Sequence, residues 1–201
     1  MSNQFAIMLD EVILASRNAG KIKEFKILLR GLVKKMSSLC KLDSVYDVIE
    51  NGNTYSENAL KKARHISILT GKICLADDSG LEVEVLDGKP GIFSSRFAGE
   101  ESSDEGNIAK LLSQLINKTN RKACFVCSLA LVFPDGRQVI AEGQCEGTIL
   151  HKTRGTSGFG YDPVFFLKDL NKTMAELTLD EKNQISHRAR AVRVLKRLLC
   201  K

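Results

Sequence analysis

The sequence predicts an α/β fold in which helices flank a mixed sheet. Three observations support this prediction. Strand-like segments alternate with helical periodicity early in the chain and give way to hairpin signals later. Residues 73–76 are apolar without alternation, which is typical of a strand buried on both faces. The chain has 201 residues, 43% of them hydrophobic, enough to bury a full core in a single domain spanning 1–201 without disulfides or metal.

The first elements expected are a strand at 11–16, a turn at 18–20 and a helix. The apolar residues on one face of that helix are Ile22, Phe25, Leu29 and Leu32. A second helix is predicted at 56–70, with Ser56 as its cap and Gly71 as its stop. The buried strand 73–76 should follow and end at Asp77-Asp78.

Later elements include a helix at 104–117 and a hairpin with strands at 123–133 and 138–143. The intervening Pro-Asp-Gly-Arg segment predicts the hairpin turn. A final helix is expected over 181–199, with an apolar stripe on a basic background. The residues of that stripe are Ile185, Ala189, Val192, Leu195 and Leu199.

Composition excludes several classes of protein. The longest mostly apolar run covers about ten residues, short of the roughly twenty that span a bilayer, so we expect no membrane association. Asp10 and Glu11 interrupt the apolar stretch that a signal peptide would need, and we expect a cytoplasmic protein. Six cysteines lack the paired spacing of a zinc site and are interpreted as buried thiols. A net charge of +6 favours polyanionic partners, either nucleic acid or nucleotide phosphates.

Residues 16–21, Ser-Arg-Asn-Ala-Gly-Lys, lie between a strand and the start of a helix. Backbone N–H groups and the helix dipole favour an anion at such a position. Lys21 adds a full positive charge suited to phosphate, and Ser16 and Asn18 add donors. An ordinary loop with a capping Asn explains the segment equally well.

Asp77-Asp78-Ser79-Gly80 places two carboxylates together at the expected strand end. Their repulsion is relieved by a cation, and oxygen ligands of this kind suit Mg²⁺. A turn with a capping Asp is the alternative. Glu50 and Glu57 can complete a carboxylate cluster, although each fits a surface or capping role as well.

The segment 155–163 is rich in glycine and carries Phe159, Tyr161 and Asp162. Glycines let a backbone approach a ligand closely, and an aromatic ring at a loop tip can stack on a base. Lys182, His187 and Arg188 follow on the last predicted helix and offer donors to carbonyl oxygens of a base edge. The alternative for these three is a solvated helix face.

Together these segments resemble the Ham1 family of inosine triphosphate pyrophosphatases, and the resemblance covers nearly the whole chain in order. The matching segments are 14–21, 57–59, 62–64, 76–81, 88–96, 158–163, 175–177 and 186–189. The resemblance implies a two-lobed protein that forms homodimers and binds its nucleotide in a cleft between the lobes. It further implies Mg²⁺-dependent hydrolysis of ITP, dITP and XTP to monophosphate and pyrophosphate, an activity that cleanses the nucleotide pool.

The same resemblance assigns roles to residues. Asp78 matches the catalytic acid and metal ligand, and Glu50 the second metal ligand. The residues it implies for substrate binding are Ser16, Arg17, Asn18, Ala19, Gly20, Lys21, Ser79, Phe159, Gly160, Tyr161, Asp162, Lys182, His187 and Arg188.

Two rival interpretations follow from the residues. A nucleic-acid-binding module explains the net charge but leaves Asp77-Asp78 without a role. A different nucleotide hydrolase, acting on modified pyrimidines or releasing phosphate stepwise, is the other. The Ham1-like interpretation predicts no nucleic-acid partner.

Overall fold

The structure, a computed structural model, describes residues 8–41 and 48–200. Within these residues it contains eight strands and five α-helices. The strands are β1 (Leu9–Leu14), β2 (Val33–Ser38), β3 (Cys74–Val83), β4 (Pro90–Gly91), β5 (Lys122–Val132), β6 (Gln138–Ile149), β7 (Phe165–Leu167) and β8 (Lys172–Thr173). The helices are α1 (Ala19–Leu28), α2 (Tyr55–Thr70), α3 (Asp104–Gln114), α4 (Leu179–Ile185) and α5 (His187–Leu199).

The strands form a mixed sheet in the order β2-β1-β3-β5-β6-β7-β8, and β4 pairs with β3. β1 is parallel to β2 and β3, whereas β4 is antiparallel to β3 and β7 is antiparallel to β6 and β8. The predicted α/β fold with a mixed sheet is therefore confirmed.

The chain divides into two compact units. Among the described residues, the first unit comprises those up to Asp78, Cys127–Gly143 and those from Arg188 onward, and the second comprises Ser79–Val126 and Gln144–His187. Along the chain, β3, β5 and β6 each contribute residues to both units.

The first unit has two apolar layers, one on each face of its strands. Alternate residues of β1, β3 and β5 face α1 and α5, and the intervening residues face α2, as the two-residue period of a strand requires. The fully buried members on the α1 and α5 face include Val12, Leu14, Phe25, Leu129, Ala191 and Leu195. Those on the α2 face include Ala59, Ala63, Ile66, Cys74, Ala76 and Ala130.

The second unit has one apolar core, in which α3 packs against segments of β3, β5, β6 and β7. Its fully buried members include Leu81, Val83, Leu111, Leu115, Val164 and Phe165. Arg121 links segments at this core, because its buried guanidinium donates to the backbone carbonyls of Leu115, Ile149 and Leu150.

The first two helices depart from their predicted bounds by a few residues. α1 ends at Leu28, so Leu29 and Leu32 are buried just beyond the helix and not on its face. α2 is capped by Thr54, whose side chain accepts from the N–H of Glu57, so the cap lies two residues before the predicted Ser56. Gly71 ends α2 in the left-handed conformation, as predicted.

The prediction that the buried strand ends at Asp77 is wrong. β3 continues through both acids to Val83, and residues 74–78 are all buried. Charged residues usually end an apolar strand because burial of an unpaired carboxylate costs several kcal/mol. Here each carboxylate has polar partners in the fold, which removes that cost and lets the strand continue.

The last predicted helix is two helices. Ser186 adopts an extended conformation (φ −62°, ψ 159°) and separates α4 from α5. The stripe on α5 is buried as expected at Ala189, Val192, Leu195 and Leu199, whereas Ile185 belongs to α4.

Smaller predictions have mixed outcomes. The hairpin of β5 and β6 forms around residues 134–137, and β6 extends six residues beyond its predicted end to Ile149. α3 ends at Gln114. Cys74, Cys127 and Cys145 are buried, as interpreted, but Cys40 is exposed.

Over residues 8–41 and 48–200, none of the helices has both the length and the apolar character to cross a bilayer.

Candidate active site

The two adjacent acids of β3 point to opposite faces of the first unit. The Asp77 carboxylate contacts residues of α1 and α5, whereas the Asp78 carboxylate contacts α2. Successive strand residues alternate in direction, so the two acids do not form a joint dicarboxylate. The repulsion expected from their adjacency in sequence is therefore largely avoided, and each acid has its own environment.

Asp77 is the centre of a buried network of charges. Lys21 Nζ lies 2.9 Å from Asp77 Oδ1, and Arg188 Nε lies 3.3 Å from Asp77 Oδ2. The guanidinium of Arg188 also donates to Glu24 Oε2 at 3.1 Å. We call these four residues, Lys21, Glu24, Asp77 and Arg188, the Asp77 network. Two positive and two negative charges balance, which is the condition for burying ions in a core.

The network keeps Asp77 ionised. Burial by itself would raise the pKa of Asp77, but the positive charges of Lys21, Arg188 and Lys62 outweigh burial and hold the pKa below its ordinary value. Asp77 is thus a permanent anion at neutral pH. An acid of this kind positions cations and is a poor acceptor of a proton.

Asp78 belongs to a second group of side chains, on the α2 face. Asn58 Nδ2 donates to Asp78 Oδ2 at 3.0 Å. Lys62 Nζ donates to Glu50 Oε1 and to the backbone carbonyl of Asp77, each at 2.7 Å. We call Glu50, Asn58, Lys62 and Asp78 the Asp78 cluster.

The Asp78 cluster makes Asp78 more basic than an ordinary aspartate. Burial raises the pKa of Asp78, and the nearby carboxylate of Glu50 adds to the rise against the opposing charge of Lys62. Burial would lower the pKa of Lys62, but the carboxylates of Glu50, Asp77 and Asp78 together raise it, so Lys62 stays charged. Neighbouring acids with pKa values moved in opposite directions often mark a site of acid–base chemistry.

The Asp78 cluster fits a magnesium ion through the chemistry of its donors. Asp78 and Glu50 supply two carboxylates, and the charge of Glu50 adds to the rise that burial causes in the pKa of Asp78. Within the described residues, no group of three or more His, Cys, Asp or Glu side chains is arranged to hold a metal. Mg²⁺ is typically bound by one or two carboxylates together with water and substrate phosphates, so two protein carboxylates suffice.

The segment 16–21 starts α1 as the sequence predicted. Asn18 caps the helix, and its side chain accepts from the N–H of Lys21 at 2.9 Å, while Ser16 Oγ accepts from the N–H of Asn18. The N–H groups of Ala19 and Gly20, in the first turn, have no intrahelical acceptor, and this suits an anion. Arg17 is exposed beside them.

Lys21 departs from the simplest expectation. Its ammonium is bound to Asp77 and is mostly buried, with 19% of the side chain exposed. Lys21 therefore contributes charge from a fixed position and does not extend into solvent. Ser79 follows Asp78 on β3 and is half-buried.

The glycine-rich segment of the second unit, residues 155–162, forms an irregular loop that we call the aromatic loop. Phe159 is half-buried on it, and Tyr161 and Asp162 are buried. Asp162 Oδ2 accepts from the N–H of Phe159 at 3.0 Å and from the ammonium of Lys182. A Cβ on Gly158 would lie 2.0 Å from Asp162 Oδ2, so the loop requires glycine there.

Of the remaining predicted residues of the second unit, Lys182 contacts this loop and His187 packs on β5. The ammonium of Lys182 lies 5.0 Å from the centroid of the Phe159 ring, a cation–π contact. Lys182 is 3% exposed, so the alternative of a solvated helix face does not apply to this residue. His187 is also buried, and its ring stacks on Phe125 at 4.8 Å between centroids.

The sequence alone does not predict a functional role for several residues of these groups. Glu24 follows Lys21 by three positions and adjoins the apolar Phe25. A charged residue on the apolar side of a predicted helix is the sequence signal that indicates a buried ion pair at Glu24. Asn58 and Lys62 lie on one face of α2 four positions apart. Glu57 is not part of the Asp78 cluster, because its carboxylate accepts from the N–H of Asn53 at the start of α2.

Comparison with known proteins identifies relatives over nearly the full length. The model of the Ham1 family matches residues 12–198. A dITP/XTP pyrophosphatase of Bacillus licheniformis is 49% identical over 191 residues, which cover 94% of this chain and 97% of the relative. The Ham1 protein of Staphylococcus aureus superposes with a TM-score of 0.84 at 43% identity, covering 94% of this chain and 98% of its own. A HAM1 protein from Coxiella burnetii gives 0.85 at 42% identity, covering 95% and 98%.

Proposed function

This chain belongs to the Ham1 family, and we propose that the enzyme hydrolyses the deaminated purine nucleotides ITP, dITP and XTP to nucleoside monophosphate and pyrophosphate. The observation that carries the proposal is the environment of Asp78. A buried aspartate with a raised pKa lies beside a second carboxylate and a charged lysine, in a unit whose α1 begins with a loop suited to phosphate. This set of groups fits water-driven cleavage of a phosphoanhydride.

In the proposed mechanism Asp78 orients the attacking water and accepts its proton. As the water oxygen bonds to the α-phosphorus, the bond from that phosphorus to the oxygen bridging the β-phosphorus breaks. Pyrophosphate departs with the electron pair. Asp78 suits the task because its buried carboxylate is held by Asn58 Nδ2 at 3.0 Å, which fixes the position of the base.

Positive groups of the first unit would bind the triphosphate. The N–H groups of Ala19 and Gly20 and the fixed charge of Lys21 favour phosphate oxygens, and Arg17 adds an exposed guanidinium. Asp78 and Glu50 would hold Mg²⁺, which when bound supplies charge neutralisation at the transferring phosphoryl oxygens. Lys62 holds Glu50 in place through its 2.7 Å contact.

A second group of residues would select the base. The half-buried ring of Phe159 suits stacking on a purine, worth about 1 to 3 kcal/mol. Hypoxanthine and xanthine carry a 6-oxo acceptor where adenine carries an amine. His187 and Arg188 are our proposed donors to that oxygen, and an unpaired amine there would cost about 1 to 3 kcal/mol. Arg188 donates to Asp77 through Nε and to Glu24 through one Nη, and these bonds fix the position of its guanidinium.

A panel of nucleoside triphosphates tests the proposal. The protein is incubated with Mg²⁺ and dITP, ITP, XTP, dATP or dCTP, and pyrophosphate and phosphate are measured separately. We expect pyrophosphate from the first three and little from the others. Release of phosphate, or equal turnover of dATP, would show that the proposed function is wrong.

The setting of the enzyme is part of the same proposal. We propose a homodimer that acts in the cytoplasm on the nucleotide precursor pool. Light scattering coupled to size exclusion would test the dimer, because a mass close to one 22.2 kDa chain would contradict it.

A further inference from the structure

Asp104, in the first turn of α3, makes a contact that its position on the helix does not explain. Acidic residues in a first turn interact with the helix dipole, and Ser103 already caps this helix by accepting from the N–H of Gly106. Asp104 Oδ2 instead accepts from the backbone N–H of Gly160 at 2.6 Å. The two residues are 56 positions apart in sequence, so α3 and the aromatic loop are joined by this bond.

The aromatic loop has little intrinsic order to fix the ring of Phe159. Gly155, Gly158 and Gly160 all have positive φ, between +60° and +83°. Glycine loses more backbone entropy on ordering than other residues, so a loop of this kind needs contacts that hold it.

Three of the polar contacts of the loop involve Phe159 and the two residues that follow it. Within the loop, Asp162 accepts from the N–H of Phe159. The hydroxyl of Tyr161 donates to the carbonyl of Ser94 at 2.9 Å. The bond from Gly160 to Asp104 is the third, and it acts on the residue directly after Phe159. Its acceptor is a carboxylate, and bonds to charged acceptors are shorter and stronger than neutral ones.

We infer that Asp104 is a positioning residue for base recognition: it fixes the backbone at Gly160 and thereby the orientation of the Phe159 ring. The inference rests on the proposed function, because it takes the ring to be the surface on which the purine stacks. Asp104 acts only through the loop. Its removal should therefore weaken binding of the base and leave the phosphate chemistry unchanged.

Replacement of Asp104 tests this role with a matched control. Asp104→Ala should raise KM for dITP about fivefold to twentyfold, with kcat within about twofold of the parent. Asp104→Asn keeps an acceptor oxygen and should recover most of the loss. Glu105→Ala removes the same charge from the same turn, where Glu105 interacts with Ser103, and should leave KM unchanged.

Two further measurements separate base binding from phosphate binding. Calorimetry with IMP should show the same loss of affinity in Asp104→Ala, while the inhibition constant of pyrophosphate, which has no base, should not change. In the background of Phe159→Ala, Asp104→Ala should have no additional effect, since both act through one ring. Thermal midpoints check that each variant is folded.

The outcomes distinguish this inference from the proposed function. Absence of pyrophosphate release from dITP by the parent protein would overturn the proposed function, and IMP calorimetry would then remain to test Asp104. If Asp104→Ala behaves like the parent or like Glu105→Ala, or if it weakens pyrophosphate inhibition as well, the positioning role is wrong.

Discussion

Asp77 and Asp78 are neighbours on one strand and differ in almost every physical respect. Asp77 faces α1 and α5, where Lys21 and Arg188 hold its pKa below the ordinary value. Asp78 faces α2, where burial raises its pKa and the Glu50 carboxylate adds to the rise. The pleat of a strand can thus give two adjacent acids separate environments: Asp77 organises cations, and Asp78 is the acid that we propose accepts a proton.

The largest effect should come from Asp78→Asn. Loss of the general base should lower kcat for dITP by about 10²- to 10⁴-fold, measured as pyrophosphate release. The amide still accepts from Asn58 and removes a buried charge, so the unfolding midpoint should be equal or higher. Asp169→Asn, the same change at an exposed position, serves as the control. Parent-like turnover in Asp78→Asn would remove Asp78 from the mechanism.

Asp77→Asn should have the opposite signature, a large loss of stability. It leaves Lys21 and Arg188 without their shared anion, and breaking a buried ion pair costs about 3 to 5 kcal/mol. Urea unfolding measures the loss against the Asp169→Asn control. If Asp77→Asn is as stable as the control, the Asp77 network is not what holds these residues in place.

A smaller effect, on binding and not on turnover, is expected from Phe159→Ala. Loss of stacking worth about 1 to 3 kcal/mol should raise KM for dITP about 5- to 150-fold, with kcat changed little. Phe166→Ala is the matched control, because Phe166 is also half-buried in the second unit with a cation, Arg154, over its ring. Steady-state kinetics with dITP give the KM of both variants. Equal KM values for the two variants would refute the stacking role.

The smallest effect is a dependence on pH that differs in sign between the two acids. The pKa of Asp77 is lowered in the folded state, so its stabilisation is present above the unfolded value of about 4 and is lost as pH falls. The pKa of Asp78 is raised, so its ionised form opposes folding above about pH 4. In metal-free buffer, the stability lost in Asp77→Asn should shrink on acidification, and any stability gained in Asp78→Asn should also disappear. Differences that stay constant with pH would contradict both assignments.

Sequence patterns predicted the features that depend on local chemistry. Asn18 and Gly71 act as helix signals whose mechanism involves only nearby backbone, and both lie where the pattern placed a helix end. The hairpin at 134–137 follows from its turn residues in the same way. Such local signals, together with the family resemblance, predict which segments carry the functional groups.

Features that depend on distant partners were not predictable. β3 continues through Asp77 because Arg188, 111 positions away, neutralises the buried carboxylate. Glu24 and Arg188 are 164 positions apart, and no periodic pattern in the sequence predicts that they form an ion pair. Ser186 interrupts a continuous helical pattern, and serine is too common within helices to mark a break by itself.

The position of bond cleavage shows whether water attacks the α-phosphorus, as we propose. The protein is allowed to turn over dITP in water enriched in ¹⁸O, and the products are separated and weighed by mass spectrometry. We expect one ¹⁸O atom in dIMP and none in pyrophosphate. Label in pyrophosphate or in free phosphate would place the attack on another phosphorus and contradict it.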